Sequence, residues 1–120
     1  MEQRQLQARY QQLDWPQQLG NLASTLARIS ARSTSPAYDN LVSNLLREAA
    51  LLIEWSAPHM PPALLLDLAP LQHEMLVWRQ IWPQDNLRPL LGLQARHISD
   101  RLLRMAKLVE PDSTRSRPLG

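Results

Sequence analysis

The chain has 120 residues and a mass of 13.8 kDa, the size of one domain with an adequate core. With 44% hydrophobic and 20% charged residues it is too apolar for a disordered segment, and its longest apolar stretch, Pro61 to Leu71, is interrupted by Asp67 and Pro70 well short of the roughly 20 residues of a membrane span. Thirteen Lys and Arg against eleven Asp and Glu leave a net charge of +2, so no strong overall field draws the molecule to nucleic acid or anionic lipid.

The charge is nevertheless uneven. Residues 1–60 carry five bases and five acids, whereas residues 86–120 carry seven bases and three acids, so an anionic partner is expected to meet the C-terminal third. No cysteine is present, which excludes disulfides, thiolate catalysis and thiolate metal sites. The opening residues lack an apolar signal-peptide core, and a cytoplasmic location is expected.

Residues 1–13 read as a glutamine-rich N-terminal arm, either a helical turn or two using Leu6, Tyr10 and Leu13 or a frayed segment. Residues 14–110 read as a helical bundle, with four segments divided by Pro36, by Pro58, Pro61 and Pro62, and by Pro83. In the first segment Trp15, Leu19, Leu22, Leu26 and Ile29 recur at steps of four and three, behind Asp14 as N-cap and Pro16 in the first turn. The second begins at Ser35-Pro36 and turns Tyr38, Leu41, Val42, Leu45, Ala49, Leu52 and Ile53 to one wide face. A stiff proline connector leads to a third helix with Leu64, Leu68, Leu71, Met75, Trp78 and Trp82 in register, kinked or restarted at Pro70. The fourth takes Asp85 or Asn86 as cap and continues through Leu91, Ala95, Ile98, Leu102, Met105 and Val109. Residues 111–120 have no apolar periodicity and read as a disordered tail. The expected fold is therefore all-α, a four-helix up-and-down bundle with a short N-terminal helical arm.

Candidate chemistry is sparse. His59, His73 and His97 lie in separate segments without the spacing of a metal-binding pair, and His73-Glu74 lacks the second histidine of a zinc helix. Glu48, Glu54 and Glu74 could approach one another across a bundle, but no Glu-x-x-His motif accompanies them. The three glycines build no phosphate loop. No metal, cofactor or catalytic residue is expected, and the chain reads as a non-enzyme.

Four tryptophans, two tyrosines and no phenylalanine make an unusual aromatic set. Most of these rings fit a core with the indole nitrogens at its margin. Trp55 and Trp82, at helix ends beside proline connectors, also fit a partner-binding patch, with Trp82 the stronger candidate. His59, Met60 and the basic strip Arg101, Arg104 and Lys107 complete that expected contact set. The alternative is a helix-turn-helix over residues 90–105, with Gly92 as the turn and Gln94, Arg96, His97, Arg101 and Arg104 facing nucleic acid. Against it stand Pro89 in the short first helix, Asp100 on the supposed reading face, and the ease with which one uninterrupted helix tolerates a glycine.

The stretches LGNLASTLARIS from Leu19, LIEWSAP from Leu52, LQHEMLVWRQIWP from Leu71 and ISDRLLRMAKL from Ile98 resemble a group of small cyanobacterial helical proteins of unknown function. The resemblance implies a cyanobacterial cytoplasm or a complex at the thylakoid surface, and it transfers no site residues. Together these readings point to a non-catalytic interaction or assembly module that binds another protein or itself.

Overall fold

The computed structural model describes residues 2–109. Five α-helices form among the described residues: α1 (Glu2–Gln11), α2 (Trp15–Arg32), α3 (Asp39–Ser56), α4 (Pro62–Ile81) and α5 (Arg88–Val109). Single 3-10 turns precede α3, α4 and α5, and no strand forms among the described residues. The expected tail at 111–120 lies outside the described residues, as does the side chain of Val109.

α2 starts as its sequence dictates. Asp14 accepts from the backbone N–H of Gln17 at 3.0 Å while Gln17 accepts from the Asp14 N–H at 3.2 Å, a reciprocal capping box followed by Pro16. The other two starts differ from expectation. Ser35 opens only the 3-10 turn Pro36–Tyr38 and makes no side-chain cap, so α3 begins at Asp39. Tyr38 is consequently outside the helical register and exposed, with the Arg32 guanidinium 4.8 Å from its ring centroid, and Leu41 is also exposed. Asp85 and Asn86 likewise sit in a 3-10 turn, and α5 starts at Arg88. α4 runs through Pro70 as one helix.

The helices are antiparallel to their neighbours in the spatial order α4, α3, α2, α5. The pairs Ala23/Ser99 and Ser30/Gly92 fix α2 against α5, since seven residues up one helix match seven residues down the other. Asp67/Arg101 and Glu74/Gln94 give the same seven-for-seven register between α4 and α5. Gln72 donates to the Ala50 carbonyl and Trp82 to the Asp39 carbonyl, which sets α3 against α4. The result is an all-α up-and-down bundle with α1 packed on it.

Leu19, Leu22, Leu26, Ile29, Val42, Leu46, Leu68, Met75, Leu91 and Leu102 fill the core, and each was on, or one position from, a face expected from spacing. α2 and α5 approach most closely. Ser30 Oγ donates to the Gly92 carbonyl and Ser99 Oγ donates to the Ala23 carbonyl, both at 2.8 Å. Short side chains at Ala23, Ser30, Gly92, Ala95 and Ser99 leave room for that approach.

Gly92 is buried in that seam. A Cβ placed on it would stand 2.8 Å from Ser33 Oγ, so its role is close packing inside a continuous helix. The turn expected at Gly92 in the helix-turn-helix alternative does not form, because α5 runs unbroken from Arg88 to Val109. Gly92→Val is expected to lower the unfolding free energy by about 1–3 kcal/mol through overpacking. In a Ser33→Ala background, Gly92→Ala is expected instead to raise it by up to about 1 kcal/mol, the helix-propensity gain without the clash. Urea denaturation of wild type, Gly92→Val, Ser33→Ala and the Ser33→Ala/Gly92→Ala double variant reads both signs.

Candidate functional site

Two polar clusters fasten opposite ends of α3. At its C-terminal end, Tyr10 Oη lies 2.9 Å from the Gln18 carbonyl and 2.6 Å from Ser56 Oγ, which is itself 2.7 Å from the Leu52 carbonyl. Two hydroxyl protons thus serve three contacts. Gln18, fully buried in α2, donates its amide to the Tyr10 carbonyl at 3.1 Å and faces His59 Nδ1 at 3.0 Å. Its Oε1 has no protein partner among the described residues. The Tyr10 ring packs against Trp55 with centroids 6.1 Å apart.

At the N-terminal end of α3, Arg88 forks onto Asp39, with Nη2 2.6 Å from Oδ2 and Nε 3.3 Å from Oδ1, and also pairs with Asp85. The hydrogen bond to Asp39 is the main reason the guanidinium is held still further above its ordinary pKa, despite its burial. Arg88 also lies over the Trp82 ring, 5.7 Å from its centroid.

These contacts decide where the expected contact residues sit. Trp82 is 8% exposed and donates its indole N–H to the Asp39 carbonyl at 3.2 Å. Trp55 is 5% exposed against Tyr10, and Met60 is 6% exposed where the 3-10 turn after α3 folds it inward. None of the three forms a surface patch, because each helix-end side chain closes the core. His59, Arg101, Arg104 and Lys107 are exposed, and Arg101 pairs with Asp67 at 3.4 Å. Gln94, Arg96 and His97 are exposed on α5, where with Leu93 and Asp100 they line a shallow open depression of about 450 Å³. Gln94 donates to Glu74, so it faces α4.

Chemically the surface offers little convergence. Glu48 accepts from Thr25 and Glu74 from Gln94, on different seams of the bundle. Among the described residues no three His, Asp or Glu side chains gather in a metal-binding group.

The feature that spacing alone left unmarked is on α4. At about 100° per residue, Leu66, Pro70, His73 and Val77 stand opposite the buried line of Leu68, Leu71 and Met75, and all four are exposed. Leu66 is 78% exposed, and Leu76 and Ile81 extend the apolar area on its margins. No Asp, Glu, Lys or Arg interrupts this stripe. Asp67 and Glu74 are turned sideways to α5 by Arg101 and Gln94. The available signal was an excess of apolar residues in this segment over what one core face requires.

Burial pushes the Tyr10 phenol up to about 12, partly opposed by its hydrogen bond to Ser56. The unfolded chain then releases this proton near pH 10, before the native state does. The associated stability is fully present below pH 10 and is lost as pH rises towards 12, by about 3 kcal/mol at most. Tyr10→Phe is expected to be less stable than wild type by about 1 kcal/mol near neutrality. Paired urea titrations from pH 8 to pH 12 should show that gap closing and then reversing; a constant gap would contradict the linkage. Compared with known proteins, the chain matches no family model, and no curated protein or solved structure is significantly similar to it.

Proposed function

We propose that this chain is a non-catalytic protein–protein interaction or assembly module that uses the outer face of α4 as its principal contact surface. The observation that carries the reading is the uncharged stripe through Leu66, Pro70, His73 and Val77, on a helix that already commits its opposite side to the core. Isolated exposed leucines are ordinary on monomers, whereas an apolar patch continuous over several turns marks a binding surface. The exposed Arg104 and Lys107 on α5 lie outside the apolar area, where charges bear on orientation and encounter rate. No described helix is long and apolar enough to cross a membrane. A place in a cytoplasmic assembly, in a cyanobacterial setting as the sequence resemblance implies, belongs to the same proposal.

The second reading, nucleic-acid binding, keeps one favourable observation: Arg96, His97, Arg101 and Arg104 are exposed along α5. It loses the two-helix geometry, and Arg101 is engaged with Asp67. Two measurements separate the readings. Affinity capture from source cells with Val77→Glu as bait is expected to lose the proteins that wild type retains, with thermal melts unchanged; unaltered capture would overturn the α4 assignment. Fluorescence anisotropy with duplex DNA and single-stranded RNA is expected to show no binding that falls steeply with salt. Steep salt dependence abolished by Arg96→Glu and Arg104→Glu would favour the nucleic-acid reading.

A further inference from the structure

We infer that the partner of the α4 stripe is a second copy of this chain, bound about a two-fold axis with the two α4 helices antiparallel, an assignment that rests on the interaction reading above. A two-fold interface brings each residue against the mirror position of the same surface, so the surface must match its own reversal. The α4 stripe does. It carries a bulky apolar end at Leu66, a bulky apolar end at Val77 and Ile81, and the smaller Pro70 with His73 between them. Reversal sets the Leu66 end of one copy against the Ile81 end of the other, along about 22 Å of helix.

Charge distribution leaves room for the same occupant. Self-pairing is costly wherever like charges meet, and the outward line Leu66, Pro70, His73 and Val77 carries no formal charge; the two Glu74 carboxylates come to the same rim of the seam, each held to the α5 side by Gln94. The nearest acids, Asp67 and Glu74, are held on the α5 side by Arg101 and Gln94, and Arg79 lies on the other flank, lining a depression with Ser43 of α3. Two of the other exposed leucines behave differently. Leu93 and Leu103 on α5 stand among Arg96, Asp100 and Arg104, so pairing that face with itself would crowd arginine against arginine. A lipid surface fits α4 poorly, since an interfacial helix borders its apolar face with Lys and Arg and this one has Asp67 and Glu74 on one border.

The area is sufficient for a reversible dimer. Leu66, Leu76, Val77 and Ile81 with the flanking alanines, Pro70 and His73 offer on the order of 600 Å² per copy, or about 1,200 Å² in the pair, the lower limit of specific interfaces. An interface at that lower limit is expected to give a reversible monomer–dimer equilibrium and no permanent dimer.

Sedimentation velocity over a concentration series tests this with the full chain. Wild type and Leu93→Glu are expected to dimerise alike, while Leu66→Glu and Ile81→Lys are each monomeric, with thermal melts that match wild type at concentrations low enough for wild type to be monomeric. An equimolar mixture of Leu66→Glu and Ile81→Lys is expected to recover dimer, because one end keeps its leucine–isoleucine contact and the other gains an opposite-charge pair. A wild type that dimerises equally well as Leu66→Glu would overturn the assignment to α4, and failure of the mixture would overturn the antiparallel arrangement. A wild type that stays monomeric overturns the second-copy assignment. If such a monomer still captures other proteins through Val77, the interaction reading survives without self-association; if Val77→Glu leaves capture unaltered, the α4 interaction reading fails too.

Discussion

The close approach of α2 and α5 sets the positions of everything else. Two serine hydroxyls, from Ser30 and Ser99, cross the seam to donate to carbonyls of the facing helix, and such short side chains can reach only when the backbones are near. Gly92 and Ala95 supply the room on α5, and Ala23 supplies it on α2. Pulling these two helices together leaves α3 to pack on the remaining side of α2 and α4 to pack on α3. α4 and α5 meet at their polar edges through Asp67–Arg101 and Glu74–Gln94. A tighter seam on one side of the bundle therefore goes with a looser one on the other, and α4 is left with a side that no neighbour covers.

The polar clusters at the two ends of α3 tie its ends to distant segments of the chain. Burying Arg88 with Asp39 carries a desolvation cost that the ion pair offsets only through good geometry, here a two-nitrogen fork assisted by Asp85. What the fork secures is the position of the α4–α5 connection over the start of α3, with Trp82 clamped between its own indole hydrogen bond and the guanidinium. Tyr10 and Gln18 do the same at the other end, tying α1 to the start of α2 and the end of α3. Buried polar groups of this kind tolerate few alternative pairings, so each one removes wrong registers that apolar contacts alone would allow.

Sequence periodicity made most of the fold legible and little of the surface. Leu19, Leu22, Leu26 and Ile29, or Leu91, Ala95, Ile98 and Leu102, announce a helix and its buried side because burial of one side is what the period records. The start of α3 was misplaced because Ser35-Pro36 has the composition of a cap, yet the chain spends three residues in a 3-10 turn first and enters α3 at Asp39, whose partner Arg88 is 49 residues away. Trp55, Met60 and Trp82 looked peripheral because they flank prolines; whether a helix-end ring turns in or out depends on a partner for its polar atom, and Asp39 is 43 residues from Trp82. Arg88 gave no signal at all, since nothing local distinguishes it from the solvated arginines further along α5.

α4 shows why a second apolar face escapes a reading built on amphipathicity. A helix with one buried side and one wet side has a clear period, whereas a helix with apolar residues on both sides has a weak one, and its excess leucines are absorbed into whichever core stripe is drawn first. Leu64, Leu68, Leu71 and Met75 satisfied the core, so Leu66 and Val77 had no assigned place. Core packing cannot account for them, because they stand about half a turn from the buried line. Solubility cannot either, since a polar residue at Leu66 would cost the monomer nothing and remove an exposed apolar side chain from water. A helix that satisfies its own fold with one face and carries a second, uncharged face has the composition that the proposed contact requires, since neither the core nor solubility asks for Leu66 and Val77.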